Sequence, residues 1–212
     1  MKLIGMLDSP YVRRVAVSLQ LMGLHFEHHN LSVFRTFKEF SAINPVVKAP
    51  TLVCDDGEVL MDSSLILDYA EALAEPARRL MPAQLPERQH ALHRIGLALA
   101  VCEKSVQIIY EHDLRPREKW HAPWLDRVTT QLHAAARLLD DAVGRHPFAA
   151  AHIDQAGVST AIAWHFVQRT LPEVLPAAAF PALAAWSDQA ETLPAFRAAP
   201  HGDGLVAAAP GA

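Results

Sequence analysis

The chain has 212 residues, enough for one large domain or two modest ones and for a sizeable buried core. Its 23 acidic and 19 basic residues leave a formal charge of −4, and no basic cluster of the kind that neutralises phosphate backbones is present, which argues against a nucleic-acid partner. The two cysteines, Cys54 and Cys102, are far apart and form no C-x-x-C pair, so they read as small buried apolar residues rather than a disulfide or a dithiol centre.

Taken in chain order, the first elements mix strand and helix signals. The N-terminal apolar stretch is cut by Asp8 too early for a secretory segment or a membrane span, so a cytoplasmic protein is expected. Lys2 to Leu7 reads as a strand that stops at Asp8-Ser9-Pro10, and Val12 to Leu24 has helical spacing that closes near Gly23. His25 to Leu31 resembles a second strand. A short helix around Thr36 to Ala42 follows and ends at Asn44-Pro45. Thr51 to Cys54 and Glu58 to Met61 flank the hairpin signal Asp55-Asp56-Gly57, and Ser63 opens a helix carrying Leu65, Ile66, Tyr69 and Leu73. The order is βαβαββα.

Glu75 to Pro86 holds three prolines and no sustained period, as a linker does. Residues 1–76 are therefore expected to form one domain, 77–86 the connection, and 87–212 an all-helical domain. In the latter, Leu92, Ile95, Leu99, Cys102, Val106 and Ile109 make an apolar stripe on a helix from Glu87 to about Glu111. Leu125, Val128, Leu132, Ala135 and Leu139 repeat the pattern from about Glu118 to Val143, with Gly144 as a stop. Shorter helices are expected near Thr160 to Arg169 and Ala182 to Glu191, and the Ala/Pro-rich tail after Pro194 reads as weakly packed.

Three N-terminal segments combine: Ser9-Pro10-Tyr11-Val12-Arg13-Arg14, Asn44-Pro45-Val46-Val47-Lys48-Ala49-Pro50-Thr51-Leu52, and Asp62-Ser63-Ser64-Leu65-Ile66. Each also has a plain structural reading. Ser9 suits a helix N-cap with Pro10 behind it, Pro50 an edge-strand proline, Lys48 a solvated charge and Asp62-Ser63 a second N-cap. Together, with the βαβαββα order and the helical remainder, they make nearly the whole chain resemble the cytosolic glutathione transferases, in particular the serine-activated bacterial type.

The resemblance implies an α+β thioredoxin-like N-terminal domain with a mixed four-stranded sheet, followed by an all-α bundle. It implies that Ser9 is catalytic. A free thiol has a pKa of about 8.5, only the thiolate attacks well, and a hydroxyl at a helix N-terminus can donate to sulfur while the helix dipole favours its charge. Lowering that pKa by roughly two units needs about 2.7 kcal/mol of preferential thiolate binding. Glutathione contacts are implied for Ser9, Tyr11, Lys48, Ala49, Asp62 and Ser63, with a cis Ala49–Pro50 bond turning the Ala49 backbone outward to pair with the tripeptide. Ser63 would donate to the γ-glutamyl carboxylate and Asp62 would accept from its ammonium, a position where the family more often has Glu.

For the electrophile pocket the resemblance suggests Tyr11, Val106, Ile109, Tyr110 and Arg115, with core packing the stronger reading for Val106 and Ile109. Ser159-Thr160-Ala161-Ile162 keeps the serine of the family's internal capping box but has Ile162 in place of its acid. No metal is expected: His28 and His29 point to opposite faces of a strand, and His90 and His93 share a helix face without an evident third ligand. The implied protein is a homodimer, not bound to a membrane, that joins glutathione to a small hydrophobic electrophile. Two alternatives stay open: a non-catalytic carrier of glutathione or apolar ligands, and another glutathione-dependent reaction such as isomerisation, dehalogenation or peroxide reduction. Ser9, where a cysteine would stand, argues against thiol-disulfide exchange.

Overall fold

The structure, a computed structural model, describes residues 1–207. Its first strand, β1 (Lys2–Ile4), is followed by α1 (Pro10–Leu21), β2 (Glu27–His29), α2 (Phe37–Ile43), β3 (Thr51–Val53), β4 (Val59–Met61) and α3 (Ser63–Leu73). The strands form one mixed sheet in the order β2-β1-β3-β4. β1 runs parallel to β2 with Leu3 opposite His28, antiparallel to β3 with Ile4 opposite Thr51, and β3 runs antiparallel to β4 with Thr51 opposite Met61. This is the thioredoxin-like arrangement that the resemblance implied, built on the βαβαββα order read from the sequence. The Asp55-Asp56-Gly57 turn closes the last hairpin with Gly57 at φ +91°, a conformation that glycine adopts without a side-chain clash.

The core of this unit lies between the sheet and two helices. Leu3 and Ile4 of β1 and Leu52 of β3 are buried, as are Val12, Val15, Ala16 and Leu19 of α1 and Ile66, Leu67 and Ala70 of α3. α1 packs against α3. Removing such side chains from water contributes about 1.5–3 kcal/mol each, which holds strands of only three residues in a sheet that local propensity alone would not keep.

The described chain divides into two compact units, residues 1–82 with 192–207, and residues 83–191. The second contains α4 (Leu85–Asp113), α5 (Ala122–Arg145), α6 (Gln155–Thr170) and α7 (Pro181–Glu191). α4 packs on both α5 and α6, and α7 on α5 and α6. α6 is the central helix, with residues 155–164, Phe166 and Val167 all buried, which explains why it shows no single apolar stripe in sequence.

Three expectations change here. The face that α4 buries is Ala91, Ile95, Ala98, Val101, Cys102, Ser105, Ile108 and Glu111, whereas Leu92 is exposed and Leu99, Val106 and Ile109 are half-buried. The sequence stripe followed the largest apolar side chains, but close packing against two helices selects small residues. α6 is capped by Asp154, whose carboxylate accepts from the Gly157 N–H at 2.7 Å; Ser159 lies inside the helix and donates to the Gln155 carbonyl. The capping motif thus starts five residues earlier than the sequence reading placed it.

The third change concerns the ends of the expected domains. Residues 194–198 form a short helix, α8 (Pro194–Ala198), which packs on α1. Phe196 is fully buried, and Arg13, 1% exposed, donates from Nε to the Ala199 carbonyl and from Nη2 to that of Phe196. Residues 192–207 are therefore part of the first unit, held by a cation and a core phenylalanine, and not of the helical domain expected for 87–212, whose last five residues lie outside the described ones. The connection is also shorter than expected. The Glu71 carboxylate on α3 accepts from the N–H groups of Leu80 and Met81 at 2.8 and 3.0 Å, so this stretch is fastened to the first unit.

Candidate functional site

The register of the sheet decides which loops meet. Ile4 at the end of β1 is opposite Thr51 at the start of β3, and Thr51 is opposite Met61 at the end of β4. Three connections therefore emerge at the same edge: the turn from Gly5 to Ser9, the Lys48–Pro50 segment, and Asp62-Ser63. Of the residues singled out in the sequence, Ser9, Lys48, Ala49, Pro50, Asp62 and Ser63 come together here. Gly5 is what lets the first two connections approach, since a Cβ at this residue would stand 3.2 Å from that of Ala49 and 2.6 Å from Val12 Cγ2.

Ser9 is the N-cap of α1. Its Oγ accepts from the Val12 N–H at 3.4 Å, a long bond, and its own proton has no acceptor among the described residues. Pro10 occupies the first helical position, where a missing N–H costs nothing. The half-buried hydroxyl is therefore a donor available at the positive end of a twelve-residue helix.

The second connection is held by Asn44, which the sequence reading placed at a helix stop and at the head of the second segment without giving its side chain a role. Buried Asn44 donates from Nδ2 to Thr51 Oγ1 at 2.8 Å and accepts from the Val46 N–H, while Thr51 Oγ1 donates to the Lys48 carbonyl at 2.7 Å. This network fixes both ends of the 45–50 loop. Val47 takes a left-handed φ of +52°, and the Ala49–Pro50 peptide is cis. The clue was available in the sequence, because Asn before Pro is a turn former whose side chain bonds nearby backbone.

The third connection turns through Asp62, at φ +76°. Its Oδ1 caps α3 by accepting from the Ser64 N–H at 2.9 Å, and its Oδ2 accepts from Lys48 Nζ at 3.4 Å. Partial burial works against its ionisation, but the Ser64 N–H and the Lys48 ammonium outweigh that and hold the carboxyl below the usual range. Ser63 is buried, and its Oγ accepts a 3.0 Å bond from Nη1 of Arg14, a residue the sequence reading did not single out.

Tyr11 is half-buried in the first turn of α1. The remaining candidates belong to the other unit. Val106 and Ile109 are half-buried on α4, and Ile108 between them fills the core position. Tyr110 is exposed, and Arg115, just beyond the helix, pairs through Nε with the buried Glu111 carboxylate at 3.2 Å. Among the described residues no group of three His, Cys, Asp or Glu side chains is placed to hold a metal ion, and no helix is long and apolar enough to cross a membrane.

Comparison with known proteins adds to this geometry. Residues 3–78 match the family "Glutathione S-transferase, N-terminal domain". A glutathione transferase family member from Pseudomonas fluorescens Pf-5, solved with bound glutathione, is 30% identical over 93% of this chain and 97% of that one, with a TM-score of 0.81. A glutathione S-transferase of Methylobacterium radiotolerans, in complex with glutathione sulfonate, shares the fold at a TM-score of 0.85 and 24% identity, covering 100% of this chain and 96% of that one. The uncharacterised GST-like protein YibF of Escherichia coli K12 is 35% identical over 86 residues, which are 41% of this chain and 40% of that protein. The chain thus spans less than half the length of this curated relative.

Proposed function

Because the chain belongs to the glutathione transferase family, we propose that it binds glutathione at the sheet edge formed by residues 5–9, 48–50 and 62–63 and activates the thiol for attack on a small hydrophobic electrophile. The observation that carries this reading is Ser9. Its oxygen is lightly engaged by the Val12 N–H at 3.4 Å, and its proton is left for an acceptor at the N-terminus of α1. A thiolate there would accept a charge-assisted hydrogen bond and gain from the helix dipole, together a plausible source of the roughly 2.7 kcal/mol that a two-unit pKa reduction needs.

The other groups suit the remainder of the tripeptide. Backbone of Ala49 borders β3, where an extended peptide can pair as an added strand. Asp62, held ionised, can accept from an ammonium, and Lys48 beside it can meet a carboxylate. Ser63, at the first position of α3, can donate to the α-carboxylate of a γ-glutamyl group. Proximity and thiolate activation then supply the chemistry without a metal. We read the protein as a cytoplasmic homodimer, in line with the same resemblance.

The test is a titration of the ultraviolet thiolate absorbance of glutathione bound to the protein and to Ser9→Ala, after calorimetry has shown that both bind it. A depressed thiol pKa that returns toward the free value in the variant supports activation by Ser9. Binding without a shift points to a non-catalytic carrier, and absence of binding overturns the glutathione assignment.

A further inference from the structure

Arg14 is 4% exposed and lies on α1, five residues after Ser9. One of its terminal nitrogens, Nη1, is 3.0 Å from Ser63 Oγ and 3.2 Å from Ser64 Oγ. A guanidinium nitrogen has hydrogens and no lone pair to offer, and it stays protonated at any pH the fold survives. Both serine oxygens must therefore accept from it. Ser63 has one proton of its own, and among the described residues no protein group accepts it, although the side chain is buried, with the residue 4% exposed. A buried O–H without an acceptor is costly unless something else takes the bond.

We propose that Arg14 is a positioning residue for the carboxylate of the tripeptide: by filling a lone pair of Ser63 Oγ from inside the fold, it turns the Ser63 proton outward toward the ligand. This rests on the reading of Ser63 as the seat of the γ-glutamyl carboxylate. The Ser64 N–H at the start of α3 is already taken by Asp62, so the Ser63 hydroxyl is a donor that the ligand needs, and it must point the right way. Arg14 also places a positive charge behind that hydroxyl, which strengthens its donation to an anion. Because Ser9 and Arg14 share one rigid helix, the seat for sulfur and the orientation of the carboxylate donor are set by the same element.

The experiment compares two ligands by calorimetry: glutathione, and its analogue with γ-aminobutyrate in place of γ-glutamate, which keeps the ammonium and lacks only the α-carboxylate. Arg14→Ala is expected to weaken glutathione by roughly tenfold to a hundredfold, the range for a hydrogen bond to a charged group, and to change the analogue by less than about threefold, the usual limit of non-interacting changes. The pKa of the bound glutathione thiol stays as in the unaltered protein, because Ser9 is untouched. Arg14→Gln, which keeps an N–H donor of smaller reach, carries the same comparison if the alanine variant does not fold, and Ser63→Ala removes the same selectivity directly. Equal weakening of both ligands, or none, overturns the proposal, as does an unaltered protein that binds both ligands equally. If the unaltered protein binds no glutathione, it is the underlying functional reading that fails.

Discussion

Nε of Arg13 donates to the carbonyl of Ala199 across 2.8 Å, joining the first helix to the far end of the chain. The two residues are 186 positions apart, and the bond sits in the interior beside Phe196, over whose ring the guanidinium also lies. Arg13→Leu keeps most of the apolar stem but strands two carbonyl acceptors. The expected loss is on the order of 2–3 kcal/mol, read as a lower denaturant midpoint at constant slope.

Gly5 takes φ +137° and has no room for a methyl group. Gly5→Ala is expected to push apart the turn before Ser9 and the Ala49 segment, costing about 1–3 kcal/mol from overpacking beyond the backbone penalty. Gly57→Ala is the control. Its φ is also positive, but nothing lies within 4 Å of the added carbon, so only the left-handed penalty of about 1–2 kcal/mol should appear. Thermal unfolding of the pair separates crowding from conformation, and glutathione affinity should fall for Gly5→Ala alone.

His28 bridges the tail and the first turn. Val206 N–H can only donate, so His28 Nδ1 accepts at 3.2 Å and the ring hydrogen sits on Nε2, which donates to the Gly5 carbonyl at 2.7 Å. Burial pushes the His28 pKa down, the Gly5 bond opposes this in part, and His29 adds to the lowering. The unfolded chain therefore binds more protons here than the folded one. This contribution is complete above the ordinary histidine value of about 6.5 and is lost as pH falls through the lower folded value. Unfolding measured between pH 7 and 5 should lose stability on acidification, and His28→Gln should flatten that slope.

Asp154 caps α6, the central helix of the second unit. Asp154→Ala should cost about 1 kcal/mol, within the usual range of about 0.5–2 for a lost cap. Asp154→Asn should cost less, because the amide oxygen still accepts from Gly157 and the burial that raises the carboxyl pKa no longer opposes a charge. Ile162→Asp, which would restore the acid expected from the serine at 159, should not stabilise, since Ile162 is 2% exposed inside the helix.

The sequence by itself determined the βαβαββα order, the hairpin at residues 55–57 and the segments that carry Ser9, Pro50 and Ser63. Those signals are local: a strand stops at a turn former, a cap precedes a helix, and glycine marks a left-handed residue. Only the tertiary structure decided the rest. The face of α4 that is buried depends on how closely two neighbouring helices approach, which favours Ala98 over Leu92 although hydrophobicity ranks them the other way. The cap of α6 moved to Asp154 because a helix starts where a side chain can reach a free N–H, and several polar residues offered themselves. The tail joined the first unit through Arg13, a residue that sequence pattern treats as surface. Arg14 was unreadable for the same reason, and of Asn44 only the local turn was legible: a polar side chain in a core is recognised by the partners that satisfy it, and those partners, Ser63 and Thr51, are brought to it by the fold.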